Sequence, residues 1–297
     1  MEAAEPESKD WMSVVQESPS LTKLIAQVND LAVLPHVVFK VLELSGSTEN
    51  PASEIEKAIT VDPGFSSKVL ILANSASNAL PKKVSSIREA LIFLGYRSVR
   101  QLAMTVGIYD MFVGKTDRDS LLRRSWWRHS VDSAVSCRWL AEKTRKVSAD
   151  DAYTCGLLHL IGKTILDRLG DGSYRQVEDM VMFGIKDYKA EEAVFGFNHM
   201  EVSIAAATKW ALPETLISGL CYLRVPDENH PHRALRACTA LGSAIATLAV
   251  EGATVDQEDS LRFLPAWAFE ALEIAEDKAM PLVLEGENAI AQCKLQL

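Results

Sequence analysis

The stretch GLLHLIGKTIL, residues 156–166, decides the fold class of this chain. Its large apolar residues recur at helical spacing, at Leu157, Leu158, Leu160, Ile161 and Ile165. This spacing lines one face of a helix with apolar side chains. The same spacing recurs elsewhere, for example over residues 21–31 and 99–106, and no run convincingly alternates with the period of two that is typical of half-buried strands. The sequence therefore predicts an all-α protein.

Capping residues mark four helix starts in the sequence. Asn50-Pro51 and Asp62-Pro63 each place a capping side chain before a proline at the first helical position. Ser86 and Asn198 are each followed three residues later by a glutamate, which is the pattern of a capping box. Gly95 is suited to the left-handed residue that ends a helix, so it is predicted to end the helix that begins after Ser86.

The composition is that of a globular protein. The chain has 297 residues, of which 48% are hydrophobic and 24% charged, and its formal net charge is −9. This length can bury a sufficient core. The acidic balance argues against a nucleic-acid partner, because nucleic acid requires a concentrated basic surface. The two local groups of basic residues are expected on solvated helix faces: Lys82, Lys83, Arg88, Arg97, Arg100 and Arg123, Arg124, Arg128.

The sequence predicts a cytoplasmic protein without membrane insertion. The start MEAAEPESKDW lacks the apolar core of a secretory signal, and no stretch approaches the roughly 18 uncharged apolar residues of a spanning helix. The five cysteines form no CxxC pair, which excludes the usual zinc-finger and redox spacings. They are expected to be buried thiols: Cys137, Cys155, Cys221, Cys238 and Cys293.

Three of the six histidines fall in apolar helical contexts: His129 in SWWRHS, His159 in GLLHLIGK and His199 in FGFNHMEV. A neutral imidazole in such a place can ligate a metal ion. A single histidine there is more often a hydrogen-bonded core residue. Asp132, one turn after His129, is the only clear carboxylate acceptor for any of them. The histidines taken singly therefore leave both interpretations open.

The sequence lacks other common catalytic motifs, namely GxSxG, the P-loop, GxGxxG and HExxH. Gly162-Lys163-Thr164 resembles the end of a P-loop, but Leu157 stands where the first glycine is required, so the match is by chance. The pairs Glu191-Glu192 and Asp150-Asp151 are expected at helix starts, where carboxylates complement the helix dipole.

Several segments together resemble the HDOD family, a degenerate branch of the HD superfamily of helical metal-dependent phosphohydrolases. The matching segments, in the family's order, are Leu34-Pro35, Asp62-Pro63, VLILANSA at 69–76 and SIREALIFLG at 86–95, with the contexts of His129, His159 and His199. The resemblance spans roughly residues 31–250.

The resemblance also implies how the chain is divided. It predicts an N-terminal helical subdomain over residues 31–115 and a degenerate HD-like helical subdomain over 120–250. The polar stretch GKTDRDS at 114–120 suits the boundary between them. The acidic extension over 1–30 is expected to be mobile in its first part and helical in its second part. A helical tail is expected over 251–297.

The resemblance implies where HD proteins bind metal, and this chain departs from that pattern. Their His-Asp pair supplies a carboxylate that can bridge two ions, whereas here the pair is His159-Leu160. An aliphatic side chain supplies neither charge nor a hard oxygen ligand. Cys221-Tyr222-Leu223 stands where many relatives have a His-His pair, and residues 239–244 offer no carboxylate for the last ligand. We therefore expect no catalysis, no metal and no cofactor, with three remnant ligand positions at His129, His159 and His199.

Four residues of the N-terminal signature are candidates for binding as well as structure: Asp62, Pro63, Asn74 and Ser75. A polar pair such as Asn74-Ser75 after a long apolar run is typical of a helix end, where it caps backbone groups. The alternative is that the pair belongs to a partner or ligand surface. Leu160 is a further signature position, and it is expected to fill the space that a metal would occupy.

The resemblance implies a bacterial signal-transduction protein with an output on motility, surface attachment or gene expression. The implied partners are signalling proteins, such as a diguanylate cyclase, a phosphodiesterase or a response regulator. A nucleotide second messenger such as a cyclic dinucleotide, bound in the groove between the subdomains, is the other implied ligand. The alternative function is a residual metal-dependent phosphohydrolase, in which His129, His159 and His199 hold the ion.

Overall fold

The computed structural model of the chain describes residues 36–44, 51–75, 78–113, 121–170, 172–251 and 264–293. Every regular element in these ranges is helical, so the predicted all-α class is confirmed. The extension over 1–30, the Leu34-Pro35 pair, Ala76 and the polar stretch over 114–120 lie outside the described residues.

One compact unit includes residues 34–120. Its helices α1 to α4 are His36–Glu43, Pro51–Thr60, Pro63–Ala73 and Ile87–Val113. Helix α4 is the centre of this unit, since α1, α2 and α3 each pack against it. Gly107 allows the close approach of α1 to α4, because a Cβ at this position would lie only 2.1 Å from Val38 Cγ2.

The helix starts of this unit follow the capping signals. Asp62 caps α3 by accepting a hydrogen bond from the Phe65 backbone N–H at 3.1 Å. Ser86 caps α4, where its hydroxyl oxygen accepts from the Glu89 backbone N–H at 3.1 Å. Gly95 has a φ of 81°, but its ψ of 166° lies outside the left-handed helical region and the helix resumes directly after it. The helical backbone that begins after Ser86 is therefore interrupted at Gly95, where the helix was predicted to end, and a second helical segment follows across a kink within α4.

The second compact unit includes residues 121–290. Its helices α5 to α14 are Leu121–Thr144, Ala149–Leu158, Ile161–Leu169, Tyr174–Met182, Asp187–Phe195, His199–Lys209, Glu214–Gly219, Arg233–Glu251, Ala266–Ala271 and Ala279–Gln292. Helix α5 packs against α6 and α12, and α7 packs against α10. These pairs bring distant parts of the sequence together and position the candidate site.

Helix α12 is the core helix of this unit, and it contacts α5, α6, α11 and α13. Among the described residues, its segment Arg233–Val250 is the one helix long and apolar enough to cross a membrane. Within the fold, 61% of that segment is buried. Its burial and its contacts are those of a helix that packs inside a protein.

The cysteines are buried as predicted, except for one. Cys137, Cys155, Cys221 and Cys238 are buried free thiols. Cys137 and Cys238 lie where α5 meets α12, and each thiol lies close to the other residue's carbonyl oxygen, at 3.4 and 3.1 Å. Cys293 is exposed, so the prediction is wrong there. It directly follows α14, whose last buried residue is Gly286.

Replacing Gly156 by alanine is expected to destabilise the protein. The new Cβ would lie 2.7 Å from Ala134 Cα and 2.8 Å from the Ser133 carbonyl oxygen, which are backbone atoms that cannot rotate away. Overpacking of this kind costs about 1–3 kcal/mol of the free energy of unfolding, measured by urea denaturation. Gly64→Ala is the matched control, because the nearest atom to its Cβ would be the side-chain oxygen Asp62 Oδ1, at 3.3 Å. Equal losses in both variants would contradict this account of close packing.

Candidate functional site

The structure brings His129, His159 and His199 together within the second unit. His129 lies on α5, His159 directly follows α6, and His199 is the first residue of α10. The ring centroids of His129 and His159 are 5.4 Å apart. The Tyr222 ring, after α11, has its centroid 5.2 Å from that of His159 and 6.3 Å from that of His199. With two further side chains described below, these residues form the histidine cluster: His129, His159, His199, Tyr222, Ser243 and Glu191.

Burial sets the charge of two of the histidines. Desolvation lowers the pKa of His129 to about 4, and the charge of Lys163 acts in the same direction. Burial also lowers the pKa of His159 well below its ordinary value, and the neighbouring His129 adds to the effect. Both imidazoles are therefore neutral at pH 7, with one donor and one acceptor nitrogen each. Burial raises the pKa of the Tyr222 hydroxyl, which therefore keeps its proton.

Ser243, on α12, joins two of the histidines. Its Oγ lies 3.1 Å from His159 Nε2 and 3.2 Å from His129 Nε2. His159 Nδ1 lies 2.7 Å from the Gly156 carbonyl oxygen, which can only accept, so Nδ1 carries the ring proton. His159 Nε2 therefore accepts the Ser243 hydroxyl proton, and Ser243 Oγ accepts the N–H of His129. The hydrogen bonds run in one direction, from His129 through Ser243 and His159 to the backbone.

Glu191, fully buried on α9, is the carboxylate of the cluster. Its Oε2 accepts from His199 Nδ1 at 2.6 Å and from the His199 backbone N–H at 2.7 Å, and its Oε1 accepts from the Tyr174 hydroxyl at 2.7 Å. Burial alone would raise the pKa of Glu191, but His199 and Lys163 outweigh burial and lower it. Three donors thus hold an ionised carboxylate inside the protein.

His199 uses both of its ring nitrogens within the protein. Nδ1 bonds to Glu191, and Nε2 lies 2.7 Å from the Tyr222 hydroxyl. Tyr222 belongs to the tripeptide that stands where many HDOD relatives have a His-His pair. Its phenol hydroxyl bonds to His199, and its ring meets the His159 ring nearly at right angles, with an interplanar angle of 78°.

Two local features hold the start of α10 against α7. Asn198 and Glu201 form the predicted capping box: the Asn198 side chain accepts from Glu201 N at 3.1 Å, and the Glu201 carboxylate accepts from Asn198 N at 3.0 Å. Gly162 has no room for a side chain, because a Cβ there would lie 1.9 Å from the His199 carbonyl oxygen. The Gly162 N–H donates to Ser203 Oγ at 2.9 Å. The glycine of the chance P-loop match is thus required for packing.

Leu160 lies between α6 and α7 and is only 6% exposed. It offers no atom to a metal or a proton. Lys163, one turn later, is also buried, and it pairs with Asp187 while its Nζ lies 6.0 Å from the centroid of the Trp126 ring. Burial alone would raise the pKa of Asp187, but Lys163 outweighs burial and lowers it. The charge of Lys163 is therefore neutralised by this carboxylate.

In this structure the side chains of the histidine cluster are arranged to hydrogen-bond with one another. Among the residues that the structure describes, no three His, Cys, Asp or Glu side chains are grouped so that they could hold an ion. The acceptor nitrogen of His159 bonds to Ser243, His199 bonds through both nitrogens, and both oxygens of Glu191 accept hydrogen bonds. These groups satisfy one another, whereas a metal site needs lone pairs that converge on an open position.

Sequence reasoning did not identify Glu191, Tyr222 or Ser243 as site residues. It placed Glu191-Glu192 at a helix start, which is wrong, since the pair lies in the interior of α9. The burial of Glu191 depends on how α8, α9 and α10 pack, and no sequence spacing marks it. Asp132 was the expected acceptor for His129, but the hydrogen-bond partner of His129 Nε2 is Ser243 Oγ. Burial raises the pKa of Asp132 to about 6.

The N-terminal signature residues Asp62, Pro63, Asn74 and Ser75 lie around α3 in the first unit. Asn74 ends this helix and pairs with the backbone of Val84: its Nδ2 donates to the Val84 carbonyl and its Oδ1 accepts from the Val84 N–H, both at 2.8 Å. Asn74 therefore ties the end of α3 to the segment before α4. The structure gives Asp62 and Asn74 capping roles, and a role in binding stays a prediction.

The family of the chain is established by comparison with known proteins. The model of the HDOD domain matches residues 31–224, so the chain belongs to the HDOD family. A curated relative, an uncharacterized protein of Treponema pallidum, is 27% identical over 217 residues, which are 71% of this chain and 41% of that protein. The chain thus spans about two fifths of the length of this relative.

Solved structures share the fold. An HDOD domain protein of unknown function from Geobacter sulfurreducens matches with a TM-score of 0.78 and 24% identity, over 97% of this chain and 100% of that chain. A candidate signal transduction protein from Marinobacter aquaeolei matches with a TM-score of 0.75 and 18% identity, over 97% of this chain and 67% of that chain. At these identities the likeness establishes the fold.

Long-range ¹H–¹⁵N NMR is expected to show His159 protonated at Nδ1 and His129 protonated at Nε2 at pH 7. Because the folded pKa of His129 is about 4 against an ordinary 6.5, its ring stays neutral down to about pH 5.5. As the pH falls, the unfolded chain binds a proton at His129 before the folded chain does. The free energy of unfolding therefore decreases between about pH 6.5 and pH 4. His129→Gln assigns the signals, and an imidazolium pattern for either ring at about pH 6 would contradict the hydrogen-bond chain.

Glu191→Gln is expected to lower the free energy of unfolding by about 2–4 kcal/mol, because the amide places a donor against the donors of His199 or Tyr174. Chemical denaturation monitored by tryptophan fluorescence measures the change. Glu192→Gln is the matched control, since this half-buried neighbour accepts from the Asn198 side chain at 2.8 Å and should lose less than about 1 kcal/mol. Similar losses of the free energy of unfolding in the two variants would contradict the central role of Glu191 in the hydrogen-bond network.

Proposed function

We propose that this chain is a non-catalytic HDOD signalling protein, which acts by contacting another protein or by binding a small signalling molecule. The observation that carries this proposal is that His159, His199 and Glu191 are engaged in hydrogen bonds within the protein. The imidazoles and the carboxylate of the histidine cluster hydrogen-bond to one another or to Ser243, Tyr222, Tyr174 and the backbone. A hydrolytic centre needs ligand atoms that are free and a coordination position that is open.

The residue that replaces the bridging carboxylate supports the same proposal. Leu160 is buried beside His159 and supplies neither charge nor a lone pair. Lys163, a cationic side chain near the cluster, pairs with Asp187. A phosphate that entered this region would therefore compete with a carboxylate already in place.

The proposed partners are those that membership of the HDOD family suggests. They are a diguanylate cyclase, a phosphodiesterase or a response regulator on the protein side, and a cyclic dinucleotide on the small-molecule side. The solved relative named as a candidate signal transduction protein supports this class of function. The proposed output is on motility, surface attachment or gene expression.

A second function, a residual metal-dependent phosphohydrolase, is favoured by one observation. Two of the three histidines have ring centroids only 5.4 Å apart, and the Tyr222 ring links them to the third. Three imidazoles are sufficient for a zinc ion where their lone pairs converge, which here would require Ser243 and Tyr222 to move aside and the rings to draw together. This alternative and the main proposal predict opposite results in one experiment.

The experiment measures the metal content of the purified protein by plasma mass spectrometry after dialysis against manganese, zinc, iron and nickel in turn. The non-catalytic proposal predicts less than about 0.1 equivalent of each ion at the histidine cluster. His232→Ala controls for adventitious binding, because the rings of His230 and His232 lie 5.9 Å apart elsewhere in the same unit. The same samples are assayed for hydrolysis of bis-p-nitrophenyl phosphate.

About one equivalent of metal that persists in His232→Ala but is lost in His159→Ala would overturn the proposal, above all if phosphodiesterase activity is lost with it. Metal that is lost in His232→Ala alone belongs to the pair of His230 and His232 and leaves the proposal standing. Calorimetric titration with cyclic di-GMP and pull-down with a diguanylate cyclase then separate the two proposed modes of signalling.

A further inference from the structure

The turn between α8 and α9 exposes four large apolar side chains within five residues. The exposed fractions are 41% for Val181, 85% for Met182, 87% for Phe183 and 40% for Ile185. We call residues 181–185 the apolar tip. With about 150–200 Å² for each fully exposed side chain of this size, the tip presents roughly 400–500 Å² of apolar surface. Patches of this size on a protein surface are often binding sites.

The apolar tip is a fixed turn. The backbone N–H of Ile185 donates to the Met180 carbonyl at 3.1 Å, and that of Gly184 donates to the Val181 carbonyl at 2.9 Å. Gly184 has a φ of 86°, the conformation that a glycine adopts at the end of a helix. The side chains are therefore presented in place, and little backbone entropy is lost when a partner binds them.

Opposite charges flank the apolar tip. Asp179 is exposed on its N-terminal side and Lys186 on its C-terminal side. Within the described ranges of the chain, neither side chain has an oppositely charged group within 4.0 Å. Asp179 stands four residues before Phe183 and Lys186 three residues after it, so the two charges flank the apolar tip on opposite sides in the sequence. A surface with this pattern is complementary to itself when it is rotated by 180°.

We propose that the apolar tip binds the apolar tip of a second copy of this chain across a two-fold axis. Met182 and Phe183 pack against the same residues of the other copy. Asp179 of each copy then faces Lys186 of the other copy, as an isologous interface requires. Two tips together bury roughly 800–1,000 Å², which is below the roughly 1,600 Å² of a standard interface. The dimer is therefore weak, reversible and dependent on concentration.

The charges favour a second copy over a lipid surface. Membrane-binding turns combine apolar tips with an excess of lysine and arginine, whereas here Lys186 is balanced by Asp179. The formal net charge of the chain is −9, which opposes approach to anionic lipid. The dimer does not depend on the signalling proposal and is tested separately from it.

Sedimentation equilibrium of the full chain, from about 1 to 300 μM, tests the proposal. We expect a reversible monomer–dimer equilibrium whose association constant falls at least about tenfold in Phe183→Ser. Asp179→Lys and Lys186→Asp, each alone, place like charges opposite each other and should also weaken the dimer about tenfold or more. The double variant restores opposite charges across the axis and should recover most of the lost affinity.

Ile71→Ser is the matched control, because Ile71 is 67% exposed on α3 and lies outside the apolar tip. Its association constant should equal that of the unchanged chain. A monomer at all concentrations would overturn the proposal, and so would a dimer that Phe183→Ser does not weaken or a double variant no better than the single ones. A monomer that sediments with phosphatidylglycerol vesicles through Phe183 would also overturn it, in favour of a lipid surface.

Discussion

The hydrogen-bonded pair of Glu191 and His199 is the interaction on which the centre of the second unit depends. Neither side chain is exposed to solvent by more than 1%. A carboxylate buried to this degree is stable only where donors satisfy it. The donors of Glu191 come from the first residue of α10 and from Tyr174 on α8, so one side chain fixes three consecutive helices. The other ring nitrogen of His199 hydrogen-bonds to Tyr222, which lies in the loop after α11.

Side-chain hydrogen bonds in this cluster connect helices that are far apart in the sequence. Ser243 on α12 bonds to His129 on α5 and to His159 after α6. In a metal-binding HD protein an ion would connect elements in this way. Here hydrogen bonds between the side chains do so, which favours one specific packing. This hydrogen-bonded arrangement is the physical basis of the non-catalytic proposal.

The sequence was sufficient for the parts of the fold that depend on local chemistry. The starts of α3, α4 and α10 follow from Asp62, Ser86 and Asn198, because a capping side chain acts within three residues of itself. The three histidines could be singled out because of the motifs around them. Tyr222 and Ser243 could be seen only as departures from a family pattern, because their bonds join residues 23 and 84 or more positions apart. Gly95 belongs with the local features, because a glycine with a φ of 81° interrupts the helix where the sequence predicted its end.

The position of α12 in the chain has a consequence for synthesis. Residues Arg233–Val250 form the most membrane-like helix of the described chain, so they are a hazard for aggregation or mistargeting while they are unpacked. Helices α5 and α6, against which α12 packs, precede it by about a hundred residues. When α12 leaves the ribosome, the part of its covering surface that α5 and α6 supply has therefore already been made, whereas α13 follows later. The order of helices along the chain shortens the time for which this segment is exposed, and a circular permutation that placed α12 before α5 would remove that protection.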